Sequence, residues 1–303
     1  MKVDVIIPTY KPGKEFAELI HRLQQQTYAI RKIIIINTET GIFPEKLETE
    51  PYPIEVIHIK PKDFDHGGTR NMGASISKAD IVLYITQDAM PADEHLIEEF
   101  IKVFEAHSDI GVAYGRQLPK NDCNIIERFT RRFNYPEKSR IKSKSDLNEL
   151  GIKTFFCSDV CAAYRRNYLL GAGGFEDPTI FNEDMIFAGK RILAGDKVAY
   201  VAEAKVLHSH NYTGRQQFHR NFDLAVSQAQ YPEVFEGVPS EGEGIRMVKA
   251  TARYLIRNEQ PLKVIILMYQ SGCKYIGYFL GKRYKKLPMR IVMKCTSNPN
   301  YWK

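Results

Sequence analysis

The sequence predicts an α/β fold with a mostly parallel sheet flanked by helices, followed by a basic helical appendage. Three observations support this fold class. Short β-branched runs alternate with helix-patterned segments early in the chain, polar residues follow several of these runs, and positive charge collects near the end. Because helices cover both faces of a parallel sheet, its strands are expected as continuous apolar runs.

The elements are predicted from apolar spacing and from the residues that break it. Residues 3–7 form a β-branched run closed by Pro8, and 14–26 carry apolar residues at helical spacing. Further buried strands are predicted at 33–36, 54–59 and 81–85, with a helical stretch at 69–77. Beyond Asp88 the order is less regular: we predict helices at 92–106, 123–133 and 183–193, strands at 112–114, 161–165, 198–201 and 206–208, and a mobile surface loop at 136–150.

Charge is distributed unevenly along the 303 residues. Residues 246–303 contain thirteen lysines and arginines and one acid, Glu259, so this segment carries +12 and the rest of the chain −5. The high pI therefore reflects a tail and does not indicate a nucleic-acid-binding main domain. We predict a catalytic domain at 1–235 and a helical basic appendage at 236–303.

Cysteine usage and apolar run lengths bear on the cellular location. The five cysteines form no C-x-x-C pair and are odd in number, which favours reduced thiols in the cytoplasm. The first residues do not resemble a signal peptide. The longest uncharged apolar run, 264–273, is about half of the roughly 20 residues that span a bilayer.

Ligands of such sheets bind beyond the carboxyl ends of the strands, where the strand order switches. Candidate binding residues are therefore those that follow the strands, namely Pro8, Thr9, Tyr10, Asn37, Gln87 and Asp88. Asp88 offers the carboxylate oxygen that a hard divalent cation prefers. The same position also suits a helix N-cap, and position alone does not decide between the two.

Three other segments offer polar groups. Glu183 and Asp184 open a helix, where acids often serve only as dipole partners, and Arg191 lies two turns later to orient the site or anchor the helix. Arg70 follows a glycine pair and suits a phosphate or an acid partner. His208 and His210 follow a strand and offer imidazoles that could complete a metal shell; we expect their side chains on opposite faces, so that at most one faces the site, and a structural histidine is the alternative.

Taken in order, these segments resemble glycosyltransferase family 2 proteins of the GT-A (Rossmann-like) fold, and among them bacterial rhamnosyltransferases. The resemblance covers residues 2 to about 230. The matching segments are 5–10, 64–74, 86–89, 114–119, 133–136, 158–159, 173–175, 182–185 and 208–212.

The resemblance implies roles for individual residues. Asp88 would bind the metal (Mg²⁺ or Mn²⁺) and the diphosphate, with His208 as the second metal ligand. Asp184 of the pair with Glu183 would be the general base. Thr9, Asn37 and Arg70 would line the nucleotide pocket. Asp159 and Arg191 would contact the sugar or the acceptor.

The implied reaction is a single in-line displacement with inversion. L-Rhamnose would pass from dTDP-L-rhamnose to a lipid-linked or oligosaccharide acceptor. Two positions depart from the family pattern. Gln87 stands where many relatives carry an acid, so Asp88 would coordinate largely alone, and Asn37 replaces an acid expected against the base and ribose.

The basic tail mixes cations with the apolar clusters 264–269 and 275–280. This composition suits a helix lying on an anionic membrane, at the inner face of the cell membrane. The alternative is a helical hairpin packed on the catalytic domain or on a second subunit of a homodimer.

Other functions remain open at this stage. The alternatives are a glycosyltransferase for a UDP-linked hexose and a non-catalytic nucleotide-sugar-binding protein on the same fold. A sugar-phosphate nucleotidyltransferase is disfavoured, because the stiff segment from Pro8 to Pro12 does not suit a loop that wraps a triphosphate.

Overall fold

The computed structural model describes residues 1–44, 47, 53–238 and 241–303. Its first part alternates strands with helices, as the sequence predicts. The elements are β1 (Val3–Tyr10), α1 (Glu15–Gln24), β2 (Lys32–Thr38), β3 (Ile54–Ile59), α2 (His66–Ile76) and β4 (Ile81–Ile85). The helix predicted at 69–77 begins three residues earlier, because the Asp65 side chain caps it by accepting from the backbone of Gly67 and Gly68.

The second part is less regular and completes the sheet. Its elements are β5 (Met90–Pro91), α3 (Leu96–Ala106), β6 (Ile110–Leu118), α4 (Ile125–Asn134), β7 (Arg140–Lys142), α5 (Leu147–Leu150), β8 (Cys161–Arg165), α6 (Arg166–Gly171), α7 (Glu183–Leu193) and β9 (Lys197–Leu207).

The strands form one sheet in the order β3-β2-β1-β4-β8-β6-β9-β5, with β7 paired to β9. The first four strands are mutually parallel, whereas β8 is antiparallel to both β4 and β6. From β1 the chain moves outward to β2 and β3 and then returns to place β4 on the other side of β1. Strand order therefore switches between β1 and β4, which opens a crevice at their carboxyl ends.

Alternation along the strands divides the core into two layers. Val5 and Ile7 of β1 face α1 and α3, where Phe16 and Phe100 are buried. Ile6 belongs to the opposite layer, together with buried residues of β4, β8 and α7. Both faces of the sheet are therefore covered, which is why the strands are apolar throughout.

Two predictions about the second part are wrong. Residues 136–150, expected as a mobile loop, contain β7 and α5. Their charged, serine-rich composition concealed a short edge strand, held by backbone pairing to β9. The strands expected at 198–201 and 206–208 are one strand, β9, whose register against β6 shifts between Gly115 and Arg116.

The C-terminal helices are α8 (Gly214–Gln230), α9 (Pro232–Phe235), α10 (Glu241–Arg257), α11 (Lys263–Gly281) and α12 (Met289–Cys295). α11 lies against α8, and α10 packs on α4 through Phe129 and Tyr254, whose ring centroids are 4.7 Å apart. The domain division at 235 stays a prediction. Among the helices that the structure describes, none has both the length and the apolar character needed to cross a bilayer.

Two glycines of α11 set its close approach to α8. A Cβ at Gly277 would lie 2.2 Å from the carbonyl oxygen of Phe218, and one at Gly281 would lie 2.3 Å from that of Phe222. Gly272, in the same helix, has open space around it. The two helices can therefore pack closely only where the side chain is missing.

We expect Gly277→Ala to lower stability by about 1–3 kcal/mol, because its methyl group must push α11 away from the backbone of α8. Gly272→Ala is the matched control. It should leave stability unchanged or raise it by up to about 1 kcal/mol, because alanine favours the helix. Thermal unfolding of both variants measures the difference, and equal melting temperatures would contradict the close packing.

Candidate active site

The carboxyl ends of β1, β2 and β3 form the first part of a polar crevice. Thr9 and Asn37 are paired in the parallel register, and the Thr9 hydroxyl donates to Asn37 Oδ1 at 3.0 Å. The Asn37 amide nitrogen lies 3.0 Å from His58 Nδ1. Because Thr9 and Asn37 are buried, their hydrogen bonds hold a fixed polar floor at the strand ends.

Tyr10 and Gln87 join the ends of β1 and β4 across the switch point. The Tyr10 N–H donates to Gln87 Oε1 at 2.9 Å, and Gln87 Nε2 donates to the Tyr10 carbonyl at 3.0 Å. The Tyr10 side chain is 54% exposed. With Pro8, which pairs with Ile36, the candidate nucleotide-pocket residues of these strand ends thus lie along one edge of the sheet.

Asp88, His208 and His210 form the second part of the crevice. Asp88 Oδ2 lies 3.5 Å from His208 Nε2 and 3.2 Å from His210 Nε2. The three donor atoms lie within 4.8 Å of one another. His208 is buried, whereas Asp88 and His210 are half-buried, so the group remains accessible to solvent.

His210 corrects the expectation that at most one of the two histidines faces the site. β9 ends at Leu207, so residues 208–210 do not follow strand geometry. The two imidazoles meet edge to face with their centroids 4.6 Å apart, and His210 stacks on Tyr212 at 4.8 Å. The expectation was wrong because residues i and i+2 lie on the same face even in a regular strand.

Gln117 of β6 orients His208, and sequence reasoning did not single it out. Its Oε1 lies 2.9 Å from His208 Nδ1, and its Nε2 donates to Ser158 Oγ at 3.0 Å. An amide oxygen at Nδ1 favours a proton there and leaves Nε2 free to bind a cation. The only signal in the sequence was its place in the segment 114–119.

Ionisation prepares this cluster for a cation. Burial raises the pKa of Asp88, but the neighbouring imidazoles of His208 and His210 outweigh it and hold the pKa below the usual range. Burial lowers the pKa of His208 and favours its neutral form. An ionised carboxylate beside a neutral imidazole is the protonation state that metal binding requires.

The third part of the crevice is a group of acids around Arg70. Arg70 Nε lies 2.9 Å from Asp159 Oδ2, and its Nη1 lies 3.0 Å from Glu183 Oε1. The Asp159 N–H donates to Asp184 Oδ2 at 2.9 Å. α2 supplies the arginine, the first turn of α7 supplies two acids, and Asp159 lies just before β8.

Burial separates Asp184 from the other members of this group. Arg70, Asp159 and Glu183 are buried, whereas Asp184 is half-buried. Asp159 is only 1% exposed, and the Tyr164 hydroxyl donates to its Oδ1 at 2.6 Å. Asp184 is thus the least buried acid of this group, and its two oxygens accept from the N–H groups of Asp159 and Met185.

Three candidate residues make contacts within the protein, and the roles that the resemblance implies for them stay predictions. Arg70 meets acid partners, the alternative to phosphate that its sequence left open. Asp159 was expected to face the sugar or acceptor, but its carboxylate bonds Arg70 and Tyr164. Glu183, expected to be catalytic, is 5% exposed and holds Arg70.

The charges of the acid group favour a proton on Asp184. Burial, together with the charges of Glu183 and Asp159, raises the pKa of Asp184 well above its usual range. Burial also raises the pKa of Asp159 to about 7, although Arg70 opposes the shift. One guanidinium cannot balance three neighbouring carboxylates, so the group as a whole resists full ionisation.

The metal cluster and the acid group share the segment of Ser158 and Asp159. The Ser158 hydroxyl accepts from Gln117, which also contacts His208. The next residue, Asp159, donates its N–H to Asp184. Three hydrogen bonds and the peptide link between Ser158 and Asp159 therefore connect His208 to Asp184.

Arg191 lies apart from this crevice. It is two helical turns beyond Asp184, which corresponds to about 10 Å along α7. Its Nε donates to Asp196 Oδ2 at 2.7 Å and to the Tyr168 hydroxyl at 2.9 Å. These contacts fit the alternative of anchoring the helix and do not support a contact with sugar or acceptor.

The donor set of Asp88, His208 and His210 fits a divalent cation. One carboxylate oxygen and two imidazole nitrogens converge, and Gln117 orients one of the rings from behind. Gln87, which replaces a family acid, is occupied with the Tyr10 backbone. His210 thus adds a second imidazole to the single carboxylate that the sequence offered.

We expect His210→Ala to weaken Mn²⁺ binding at least about tenfold, because it removes one of three converging ligands. Calorimetric titration with Mn²⁺ measures the change. His95→Ala, at an exposed histidine before α3, is the control and should bind as the unaltered protein does. Equal Mn²⁺ affinity in the two variants would exclude His210 from the site.

Sequence comparison identifies relatives over the whole chain. The profile of "Glycosyl transferase family 2" matches residues 4–170. The O-antigen chain rhamnosyltransferase RfbN of Salmonella typhimurium is 40% identical over 308 residues, covering 100% of this chain and 96% of the relative. The O-antigen chain rhamnosyltransferase WbaN of Salmonella anatum is 39% identical, covering 98% and 95%.

Solved structures show the same fold at low sequence identity. The mannosyltransferase PcManGT of Pyrobaculum calidifontis, in complex with GDP-Man and Mn²⁺, aligns with a TM-score of 0.58 and 14% identity over 97% of this chain and 78% of that one. S. aureus TarS in complex with UDP-GlcNAc aligns with a TM-score of 0.55 and 14% identity, covering 94% and 92%. The predicted GT-A architecture is confirmed.

Proposed function

The chain belongs to glycosyltransferase family 2 and is a glycosyltransferase, and we propose that it transfers L-rhamnose from dTDP-L-rhamnose to a hydroxyl of a cell-surface glycan. About 40% identity to two rhamnosyltransferases over nearly their whole length supports this donor. The observation that carries the mechanism is the half-buried Asp184, which is linked to the group of Asp88, His208 and His210 through Asp159, Ser158 and Gln117.

In this proposal Asp184 is the general base. Its raised pKa brings it closer to working pH, where a carboxylate accepts a proton more effectively. It takes the proton of the acceptor hydroxyl as that oxygen attacks the anomeric carbon, and the nucleoside diphosphate leaves from the opposite face. A single displacement inverts the configuration, so a β-linked donor yields an α-rhamnoside.

Glu183, Asp159 and Arg70 act in this proposal as positioning residues. Their ion pairs connect α2, the segment before β8 and the start of α7. The Asp159 N–H holds one carboxylate oxygen of Asp184 in place. Preorganised hydrogen bonds of this kind reduce the motion needed to reach the transition state.

Asp88, His208 and His210 would hold the cation, which would neutralise the leaving diphosphate. Two imidazole nitrogens disfavour Mg²⁺, which prefers oxygen ligands in an octahedral shell, and so we propose Mn²⁺. The donor nucleoside would lie along the strand ends at Pro8, Thr9, Tyr10, Asn37 and Gln87. Tyr10, with its exposed ring, is placed to stack on the base.

We expect Asp184→Asn to lower the transfer rate by about 10²–10⁴-fold, because the amide cannot accept the proton. Calorimetry should still detect dTDP-L-rhamnose binding. In the unaltered enzyme kcat should fall as the pH is lowered, with a midpoint above the ordinary aspartate range, because only ionised Asp184 acts as a base.

Asp196→Asn is the matched control, since Asp196 lies beyond the other end of α7 and bonds Arg191. It should keep its transfer rate. A UDP-linked hexose, tested in parallel, distinguishes donors. Transfer from that hexose but not from dTDP-L-rhamnose would overturn the donor assignment, and full turnover by Asp184→Asn would overturn the base.

We further propose that the C-terminal helices lie on an anionic membrane that carries a lipid-linked acceptor, at the inner, cytoplasmic face of the cell membrane. α11 and the turn before it expose apolar side chains: Leu262 is 78% and Ile265 70% exposed. The other apolar side chains exposed on α11 are Ile266, Met268, Tyr269, Tyr275, Ile276 and Phe279.

Charge favours a membrane over a second copy of the chain as the occupant of this face. The cations that flank it include Lys263, Lys282, Arg283, Lys285 and Lys286, and segment 246–303 carries +12. A homodimer through α11 would bring these like charges together, whereas anionic lipid attracts them by about 1 kcal/mol per residue.

We expect the double variant Leu262→Glu/Ile265→Glu to lose pelleting with phosphatidylglycerol-containing vesicles, because it places acids on the apolar face. Ile42→Glu, at an exposed apolar residue of the catalytic domain, should pellet normally. Unchanged pelleting of the double variant would remove the membrane role. A dimer in solution that the double variant dissociates would assign the face to a second copy instead.

A further inference from the structure

A cavity of about 580 Å³ lies beside the edge strand β7, away from the strand ends that form the crevice. Four aromatic side chains line it, namely Tyr114, Phe133, Phe156 and Tyr200. Cavities of this size accept small organic ligands. Aromatic ring faces pack well against the C–H face of a sugar, so the lining suits a carbohydrate.

The cavity is also positively charged. Five of its lining residues are cations, Lys138, Arg140, Lys142, Lys153 and Arg246, and no acid is among the lining residues that the structure describes. Lys153 and Arg246 share Glu243, and Arg140 pairs with Asp146 and Glu149. These acids approach the cations from outside the lining and offset only part of the charge.

Lys142 differs from these cations because it is buried, at 3% exposure. Its Nζ donates to the carbonyls of Lys153 and Phe156 and lies 4.7 Å from the ring centroid of Tyr114. No carboxylate among the described residues forms an ion pair with it. Burial lowers the pKa of Lys142 to about 7, so its charged form is disfavoured unless an anion approaches it. The two carbonyls accept from only two of the three N–H groups of the charged form.

The cavity is connected to the catalytic crevice through aromatic contacts. The Tyr135 ring lies 5.8 Å from that of Phe156 and 6.4 Å from that of Tyr200. Tyr135 is also close enough to Asp184 for that acid, after burial, to contribute to its raised pKa. On its other side the cavity is bounded by Arg246 of α10, the helix that leads to the exposed apolar face of α11.

We propose that this cavity binds a glycosyl phosphate, with the sugar against the aromatic rings and a phosphate oxygen on Lys142. The anion would supply the counter-ion that the protein does not, and Arg140 and Arg246 would add to its field. The assignment of this ligand to the acceptor, as its phosphate-linked end, rests on the proposed function. The binding of a glycosyl phosphate to the cavity is independent of that function, because the cavity lining shares no residue with the proposed donor site.

The test uses the full-length protein saturated with dTDP and Mn²⁺, so that added phosphate groups cannot occupy the donor site. Calorimetry compares glucose 1-phosphate, glucose and inorganic phosphate. We expect glucose 1-phosphate to bind more tightly than either of the other two. Lys142→Met should weaken its binding at least about tenfold while the variant stays folded, because methionine fills the space without a charge.

Lys197→Met is the control, since Lys197 lies at the start of the neighbouring strand β9 and pairs with Asp109. It should bind glucose 1-phosphate normally. If Lys142→Met proves unstable, Phe133→Leu at the half-buried ring of the cavity tests the sugar contact in its place. Unchanged binding in these cavity variants, or equal affinity for inorganic phosphate and glucose 1-phosphate, would overturn the proposal.

A further comparison separates two sources of the ligand. A hexosyl diphosphate carrying a farnesyl chain is compared with the same compound without the chain. Tighter binding of the farnesyl compound assigns the site to a lipid-linked acceptor, and equal binding assigns it to a soluble sugar phosphate. Failure of dTDP-L-rhamnose to bind the unaltered protein would count against the proposed function and leave this site standing.

Discussion

The site depends on the buried guanidinium of Arg70. Its ion pairs with Asp159 and Glu183 connect α2 to segments that lie 89 and 113 residues further along the chain. Removing one partner of such a group leaves a buried charge without compensation, which typically costs about 3–5 kcal/mol. The arrangement is therefore held strongly, and it sets the position of Asp184 through the N–H of Asp159.

The same group explains how an aspartate becomes a base. Two of the three acids pair with Arg70, and the third, Asp184, lies beside them with only part of its surface in water. Its pKa rises because burial and two negative neighbours disfavour its ionised form. Asp88 shows the opposite balance: its imidazole partners hold its pKa low, so the pKa values of the two functional acids are shifted in opposite directions.

Three surfaces are proposed to bind the donor, the acceptor and the membrane. The strand ends at Thr9 and Asn37 are proposed to bind the donor, and the aromatic and cationic cavity at Lys142 is proposed to bind the acceptor. α10 borders that cavity and leads to the exposed apolar face of α11. In our proposals the donor, the phosphate-linked acceptor and the membrane therefore contact different residues.

Local pattern in the sequence determined most of the first sheet half, because β-branched runs and helical spacing are visible within ten residues. It also identified Asp88, Asp184 and His208 as candidates.

The sequence did not determine which polar groups contact one another. The role of Gln117, and the meeting of both histidines with Asp88, follow from the pairing of β9 with β6 and with β5, the short strand just after Asp88. The partners of Arg70, Asp159 and Glu183 likewise come from distant segments. Backbone pairing likewise produced β7 in a segment whose composition indicated a loop. Side-chain spacing is a local property, whereas ion pairing, burial and hydrogen-bond partners depend on the tertiary structure that brings distant segments together.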